Sequence, residues 1–82
     1  MAVQHLKTWI EYFEAVLTDQ KLFEVRKDDR NFKVGDILIL QEWDNTKQKY
    51  TGREAHREVS YIFRSRSFGV QDGYVVMSLK KL

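Results

Sequence analysis

The spacing of apolar residues predicts one short helix near the start of the chain. Five of these residues share one face at helical spacing: Trp9, Ile10, Phe13, Val16 and Leu17. Residues 8–11 read Thr-Trp-Ile-Glu, which fits a capping box in which the Thr8 hydroxyl accepts from the third helical N–H group. The helix is therefore expected to begin at Thr8 and to end in the polar residues 18–20.

Alternation at period two predicts the strand that follows the helix. Over residues 22–26 the pattern places Phe23 and Val25 on one face of the strand. Glu24 and Arg26 fall on the opposite face. We therefore expect a half-buried strand with its two apolar side chains in the core and its charges outside.

The second half of the chain predicts a long hairpin and a last strand. Residues 37–43 begin with four apolar residues, which is typical of a central strand covered on both sides. Residues 44–52 are polar and hold the turn, and residues 53–63 make the return arm. A basic loop at residues 64–69 leads to a last strand at residues 74–79.

One helix and four or five mostly antiparallel strands predict an α+β fold. In so small a set, a barrel with the helix plugging one end leaves the fewest edges exposed. Residues 1–82 are expected to form a single domain. Ten residues are expected to be largely buried: Ile10, Phe13, Leu17, Phe23, Val25, Ile37, Ile39, Val59, Tyr61 and Val75.

Composition excludes several classes of protein and favours others. There is no cysteine and there are two histidines, so neither a metal site nor a cofactor is expected. No apolar run is long enough to span a membrane, which predicts a soluble, cytoplasmic protein. The net charge of +2 is too small to steer a polyanion towards the whole molecule. Whether a polyanion binds therefore depends on where the charges lie on the surface. The chain has more aromatic residues than a core this small needs, which indicates a rim or cleft that takes flat rings. Some of five aromatic residues are expected there: Trp9, Trp43, Tyr50, Tyr61 and Tyr74.

The charged residues around the second predicted element are candidates for a site. Glu24 and Arg26 are neighbours on one strand face, and Lys21 joins them if it lies in the turn before the strand. We expect that placement, because a lysine is costly to bury on the apolar face. Three interpretations stay open: a solvated ion pair on the surface, a buried structural ion pair, or charges that face a ligand.

Other residues are weaker candidates, each with a structural alternative. Arg30 lies in a mixed-charge loop, and Arg64 and Arg66 flank serines in the basic loop, where guanidinium groups contact phosphates or remain solvated. Trp43 and Tyr74 are candidates for stacking on a base, although both positions also suit rim packing. Asp36 after Gly35 is expected to accept local backbone N–H groups.

The order Lys21-x-x-Glu24-x-Arg26, followed by Gly35-Asp36 and an apolar strand, resembles the signature of the ASCH domain family, Gly-x-Lys-x-x-Glu-x-Arg. That family belongs to the PUA-like barrels. Further segments across nearly the whole chain are similar to a small bacterial and phage group of ASCH-like proteins: residues 5–7, 23–27, 34–36, 42–43, 50–53 and 73–76. Asp19 stands where the signature has glycine, and this departure bears on the turn before the strand.

The resemblance implies a five- or six-stranded PUA-like barrel with Lys21, Glu24 and Arg26 in a cleft beside the helix. Members of the family are proposed to bind RNA, some within transcription coactivators. Some small relatives resemble amidohydrolases of acetylated cytidine, which pair a lysine with a threonine three positions later. In this chain position 24 is glutamate, so that activity does not carry over residue by residue.

Two functions from different classes follow. The first is an RNA-binding module, with Lys21, Arg26 and Arg30 on phosphates and Trp43 or Tyr74 on a base. The second is a small amidohydrolase acting on an acylated nucleoside, with Glu24 as general base and Lys21 stabilising an oxyanion. A role as a protein-interaction accessory also fits. The sequence leaves the oligomeric state and the RNA or substrate identity open.

Overall fold

The computed structural model describes residues 1–64 and 66–82, and Ser65 of the predicted basic loop lies outside this range. The chain forms one helix and five strands in an α+β arrangement. In chain order they are β1 (Val3–Trp9), α1 (Ile10–Leu17), β2 (Phe23–Lys27), β3 (Ile37–Asp44), β4 (Lys49–Phe63) and β5 (Tyr74–Lys81), with a 3₁₀ turn at Ser67–Gly69 before β5.

The five strands form one curled sheet in the order β1-β3-β4-β5-β2, which makes a half-barrel. Only the β1–β3 pair is parallel; the other neighbouring pairs are antiparallel. Strands β1 and β2 are therefore the two edges of the sheet, and the half-barrel is open between them. The mostly antiparallel sheet with one helix is confirmed, whereas complete closure of the barrel is not seen.

The first strand was not predicted, and the helix begins later than expected. Residues Val3–Trp9 pair with β3, so Thr8 lies in a strand rather than at a helix N-cap. Trp9 is the N-cap residue, and its side chain makes no capping hydrogen bond. The Thr8–Glu11 spacing imitates a capping box, but the Thr8 side chain is buried and faces the sheet interior.

Helix α1 covers the concave face of the sheet through Phe13 and Val16. Its C-terminal end is anchored by Arg57 of β4, whose Nη2 donates to the Val16 carbonyl at 3.3 Å. A guanidinium at this end of the helix satisfies a carbonyl that has no partner within the helix. The contact fixes α1 against the middle strand of the sheet.

The core lies between α1 and the concave face of the sheet. Its buried apolar residues are Leu6, Phe13, Val16, Phe32, Leu38, Leu40, Ala55, Val59, Val75, Met77 and Leu79. Burial of Phe13, Val59 and Val75 was predicted and is confirmed. The outer face of the sheet has no second layer over it, and this explains why many other expected core residues lie outside.

Seven of the ten residues that were predicted to be buried are exposed or only half-buried. Five are exposed: Ile10, Leu17, Phe23, Val25 and Tyr61. Ile37 and Ile39 are half-buried because β3 directs Leu38 and Leu40 inward and the alternate residues outward. Four apolar residues in a row indicated cover on both faces, and the helix covers only one.

The turn at Gly35-Asp36 is structural, as predicted. The Asp36 carboxylate is buried and accepts from the backbone N–H groups of Ala2, at 2.9 Å, and Lys33, at 3.0 Å. These bonds hold the start of β1 beside the start of β3.

No helix among the described residues is long and apolar enough to cross a membrane.

Candidate functional site: the cleft between the two sheet edges

The open side of the half-barrel is a cleft of about 450 Å³ between β1 and β2. Residues from β1, α1, the helix-to-strand turn and β2 line it: Lys7, Thr8, Trp9, Tyr12, Lys21, Phe23, Glu24, Val25 and Arg26. Its size is in the range of small-ligand sites. The cleft brings together three residues that the sequence singled out, Lys21, Glu24 and Arg26.

Glu24 lines this cleft and is only 3% exposed. One carboxylate oxygen accepts from Lys21 Nζ at 2.6 Å and the other from Arg26 Nε at 2.9 Å. Lys21 lies in the turn before β2, as expected, and its Nζ also donates to the Phe23 carbonyl at 2.9 Å. Two cations around one carboxylate leave this cluster with one surplus positive charge.

The faces of β2 are the reverse of the prediction. Glu24 points inward, and Phe23 and Val25 are 46% and 51% exposed. Burying a carboxylate is tolerated here because both of its oxygens are paired with cations. Phe23 remains outside, where its ring lies 5.0 Å from Lys21 Nζ. Apolar alternation in β2 therefore marks the cleft rim and outer face rather than the core.

Arginine side chains bridge the two sheet edges. Arg26 Nη2 donates to the Lys7 carbonyl at 2.7 Å, and Arg30 Nη1 donates to the His5 carbonyl at 2.6 Å. Both acceptors lie on the free edge of β1, where a neighbouring strand would otherwise donate. The side chains thus occupy acceptors on an exposed edge that could otherwise pair with another chain. Arg30 borders the cleft without lining it.

Two aromatic side chains, Trp9 and Tyr12, line the same cleft as the charged cluster and are called its aromatic wall. The Trp9 and Tyr12 rings are nearly parallel, at 17°, with centroids 6.4 Å apart, and both are about half exposed. Sequence reasoning missed Tyr12, Lys7 and Thr8 as lining residues. It placed Trp9 beside the apolar stripe of the helix and also among the aromatic residues expected at a rim or cleft, and Trp9 does line the cleft. Tyr12 had a usable signal, because it falls off that stripe and so faces outward on a helix that carries one apolar face.

The other predicted site residues lie outside the cleft. Trp43 is on the outer face of β3, with Lys7 Nζ 3.9 Å from its ring centroid and the Tyr50 ring edge-on at 4.9 Å. Arg64 donates to Asp28 at 3.0 Å and to the Phe32 carbonyl, so it fastens a loop.

Arg66 and Tyr74 lie on the far side of β2 from the cleft. Arg66 pairs with Asp72 at 3.6 Å on the surface. Tyr74 lines a second hollow beside the 3₁₀ turn. The structure therefore does not bring either residue to the charged cluster at Glu24.

A further buried carboxylate, Glu42 on β3, was not predicted. Arg53 holds it with Nε and Nη2 at 2.9 and 2.8 Å, and the Thr51 hydroxyl donates to it. The hydrogen bond from Arg53 is the main cause that lowers the Glu42 pKa, and the same bond raises the Arg53 pKa. Arg53 also pairs with Glu14 of the helix. The inward parity of Glu42 after Leu38 and Leu40 was the available sequence signal.

Comparison with known proteins gives the family of the chain. The chain is 38% identical over 60 residues to an "Uncharacterized 12.9 kDa protein in GpA 3'region" of Escherichia phage P2. The match covers 73% of this chain and 53% of the phage protein, so the chain spans about half the length of that relative. A family model described as a domain of unknown function, DUF3850, matches residues 3–79. Since the match extends over nearly all of the chain, this protein belongs to the DUF3850 family.

Proposed function

We propose that this domain is a cytoplasmic RNA-binding module of the ASCH type, with a PUA-like fold, and that it holds a nucleotide of single-stranded RNA in the β1–β2 cleft. The proposal rests on one observation: the Lys21–Glu24–Arg26 cluster, with its surplus positive charge, lines the same cleft as the aromatic wall. Phosphates require cations, and unstacked bases require flat apolar surfaces.

The charge supports binding of an anionic group at the cleft floor. Lys21 donates to Glu24 and to the Phe23 carbonyl, and Arg26 donates to Glu24 through Nε and to β1 through Nη2. Among the described residues this leaves one N–H group of Lys21 and the Nη1 group of Arg26 without a partner, on side chains that line an open cleft. Lys7 also lines the cleft, but its ammonium lies over the Trp43 ring on the outer face of β3 and adds no charge to the cluster. A phosphate there would complete the hydrogen bonding of two cations that are already held in place, which limits the entropy lost on binding.

The turn before β2 supports the resemblance to the ASCH signature. Asp19, which stands where the signature has glycine, has φ 61°, in the left-handed region that glycine adopts most readily. Aspartate tolerates this conformation better than most residues. The turn therefore keeps a glycine-like backbone conformation, and Lys21 is directed towards Glu24.

The contacts of Glu24 favour binding over amide hydrolysis. A general base needs an oxygen free to take a proton from the attacking water. Both oxygens of Glu24 already accept from cations. Turnover would require one of these bonds to break, whereas binding uses the cluster as it stands.

Titration of labelled single-stranded RNA at low salt tests the proposal. Trp9→Ala and Tyr12→Ala are each expected to weaken binding about tenfold, because each removes a stacking surface. Tyr61→Ala is the matched control, since Tyr61 is an exposed aromatic residue of β4 that does not line the cleft. Absence of RNA binding, or equal losses in all three variants, would contradict the proposal. Release of acid from acylated nucleosides above the buffer rate would favour the amidohydrolase instead.

A further inference from the structure

Phe68 projects into solvent from the 3₁₀ turn before β5. Its side chain is 94% exposed, and its backbone is left-handed, with φ 60° and ψ 30°. A bulky residue adopts this conformation only under strain, while glycine adopts it freely. The backbone therefore gives no reason for phenylalanine at this position. The ring lies 6.2 Å, centroid to centroid, from the Phe63 ring, and this contact leaves nearly all of the Phe68 side chain exposed. A strained aromatic residue that stays so exposed points to a further contact made by the side chain.

A hollow of about 430 Å³ lies directly beside Phe68. Three valines and the Tyr74 ring make most of its wall: Val25, Val70 and Val76 with Tyr74, completed by Phe68, Gly69 and Gln71. The hollow is large enough for an aromatic side chain. An apolar projection and an apolar hollow thus lie side by side on one face of the molecule.

The charges around this face are paired within the chain. Arg66 is 3.6 Å from Asp72, and Arg64 donates to Asp28 at 3.0 Å. Two arginines that would attract a polyanion are offset by two aspartates, so the face favours an apolar protein surface over a nucleic acid. A second copy of the same face would meet it without net repulsion.

We propose that this face docks a second copy of the chain about a two-fold axis, with each Phe68 ring inserted into the hollow of the other copy. A two-fold interface needs a surface that complements itself, and a projection next to a matching hollow satisfies that need. Because Phe68 is also one wall of the hollow, the two Phe68 side chains lie near each other at the axis.

The area available predicts a weak dimer. Phe68 and Val25 are the exposed large apolar side chains that line the hollow, and an aromatic side chain buries about 150 to 250 Å². These two offer on the order of 200 to 300 Å² per copy, less than the roughly 800 Å² per partner of a standard stable interface. The dimer is therefore expected to dissociate on dilution.

Sedimentation velocity on the full chain, from low micromolar to near-millimolar concentration, tests the proposal. We expect a monomer–dimer equilibrium, and Phe68→Gly should raise its dissociation constant at least tenfold. Glycine relieves the left-handed backbone, so this variant is expected to melt no lower than the wild type. Tyr50→Ser, at a half-exposed aromatic of β4 remote from the hollow, should dimerise like the wild type.

Disulfide trapping gives a second readout, since the chain has no cysteine of its own. Mild oxidation should link Phe68→Cys into a dimer and leave Tyr50→Cys monomeric. A wild type that remains monomeric at the highest concentration, or a Phe68→Gly protein that dimerises unchanged, would overturn the proposal. So would an always monomeric protein whose RNA affinity falls on Phe68→Gly, because the face would then contact nucleic acid.

Discussion

Two buried carboxylates, Glu24 and Glu42, lie in the same half-barrel and are held in different ways. Glu24 accepts from two cations, Lys21 and Arg26, at the wall of an open cleft. Glu42 accepts from one cation, Arg53, which it shares with Glu14. The first cluster has a surplus of positive charge and the second a surplus of negative charge.

This difference separates a structural ion pair from a candidate binding site. At Glu42 the hydrogen bonds join β3, β4 and α1, and the Arg53 guanidinium lies 5.2 Å from the Phe13 ring. At Glu24 the same chemistry leaves one N–H group of Lys21 and the Nη1 group of Arg26 without a partner among the described residues, in a cleft that Trp9 and Tyr12 also line. Burial of a charge is therefore not by itself a sign of function; a surplus of the opposite charge at an open surface is the more informative feature.

The largest effect on stability is expected at Phe13, which packs on the Glu42 side of the helix. Phe13→Ala should lower the free energy of unfolding by about 3 to 5 kcal/mol through lost burial and a residual cavity. Tyr12→Ala, on the exposed face of the same helix, should change it by no more than about 0.5 kcal/mol. Chemical denaturation measures both. An unchanged midpoint for Phe13→Ala would show that the helix does not hold the sheet.

Removing the single cation at Glu42 is expected to have the next largest effect. Arg53→Met leaves a buried carboxylate with only the Thr51 hydroxyl, and an uncompensated buried charge is strongly destabilising. Thermal melts should show a clear fall in Tm, partly restored in Arg53→Lys, which keeps the charge but loses the paired geometry. A Tm equal to that of the wild type would mean that water already satisfies Glu42.

Acid should destabilise the protein through Glu42. Its pKa is lowered in the folded state relative to the ordinary value of 4.5, mainly by the hydrogen bond from Arg53. A lowered folded-state pKa contributes stability that is present above pH 4.5 and is lost as pH falls through the folded-state value. Melts of Glu42→Gln should therefore depend less on pH below 4.5 than melts of the wild type. Parallel curves for the two proteins would contradict this assignment.

The smallest effect on stability is expected at Arg26, although it also pairs with a buried carboxylate. Arg26→Met leaves Glu24 still neutralised by Lys21 and removes the hydrogen bonds to Glu24 and to the Lys7 carbonyl. We therefore expect a loss of about 2 kcal/mol, at about 1 kcal/mol for each hydrogen bond. Replacing Lys21 as well should cost more than the sum of the single changes. A greater loss of Tm for Arg26→Met than for Arg53→Met would remove the distinction between the two carboxylates.

The spacing of apolar residues predicted the helix and strands better than it predicted which face of each one is buried. The helix, the long hairpin and the last strand were each identified from spacing. Strand β1 was missed because Thr8 and Glu11 imitate a cap, and its real partner, β3, is about thirty residues away. The faces of β2 were reversed because Phe23 and Val25 alternate like core residues, while the cations that allow Glu24 inside are recognised only from the folded arrangement.

The charges of the candidate site were predicted, but its aromatic wall was predicted only in part: Trp9 was a candidate for a rim or cleft, and Tyr12 was missed. Lys21, Glu24 and Arg26 are close in sequence, so a signature and a turn suffice to bring them together. Trp9, Tyr12 and Lys7 reach the same cleft only because β1 and β2 form the two edges of a curled sheet. That juxtaposition depends on strand order, which no short stretch of sequence encodes.

The salt dependence of RNA affinity, measured for the wild type and for Arg26→Met, tests the surplus-charge account most directly. A single-stranded RNA gives a slope of log affinity against log salt of about −0.7 for each phosphate neutralised. We predict that Arg26→Met binds more weakly at low salt and that its slope is shallower by about one phosphate contact, with the fold intact. Equal slopes and equal affinities in the two proteins would show that the cations at Glu24 serve the fold alone.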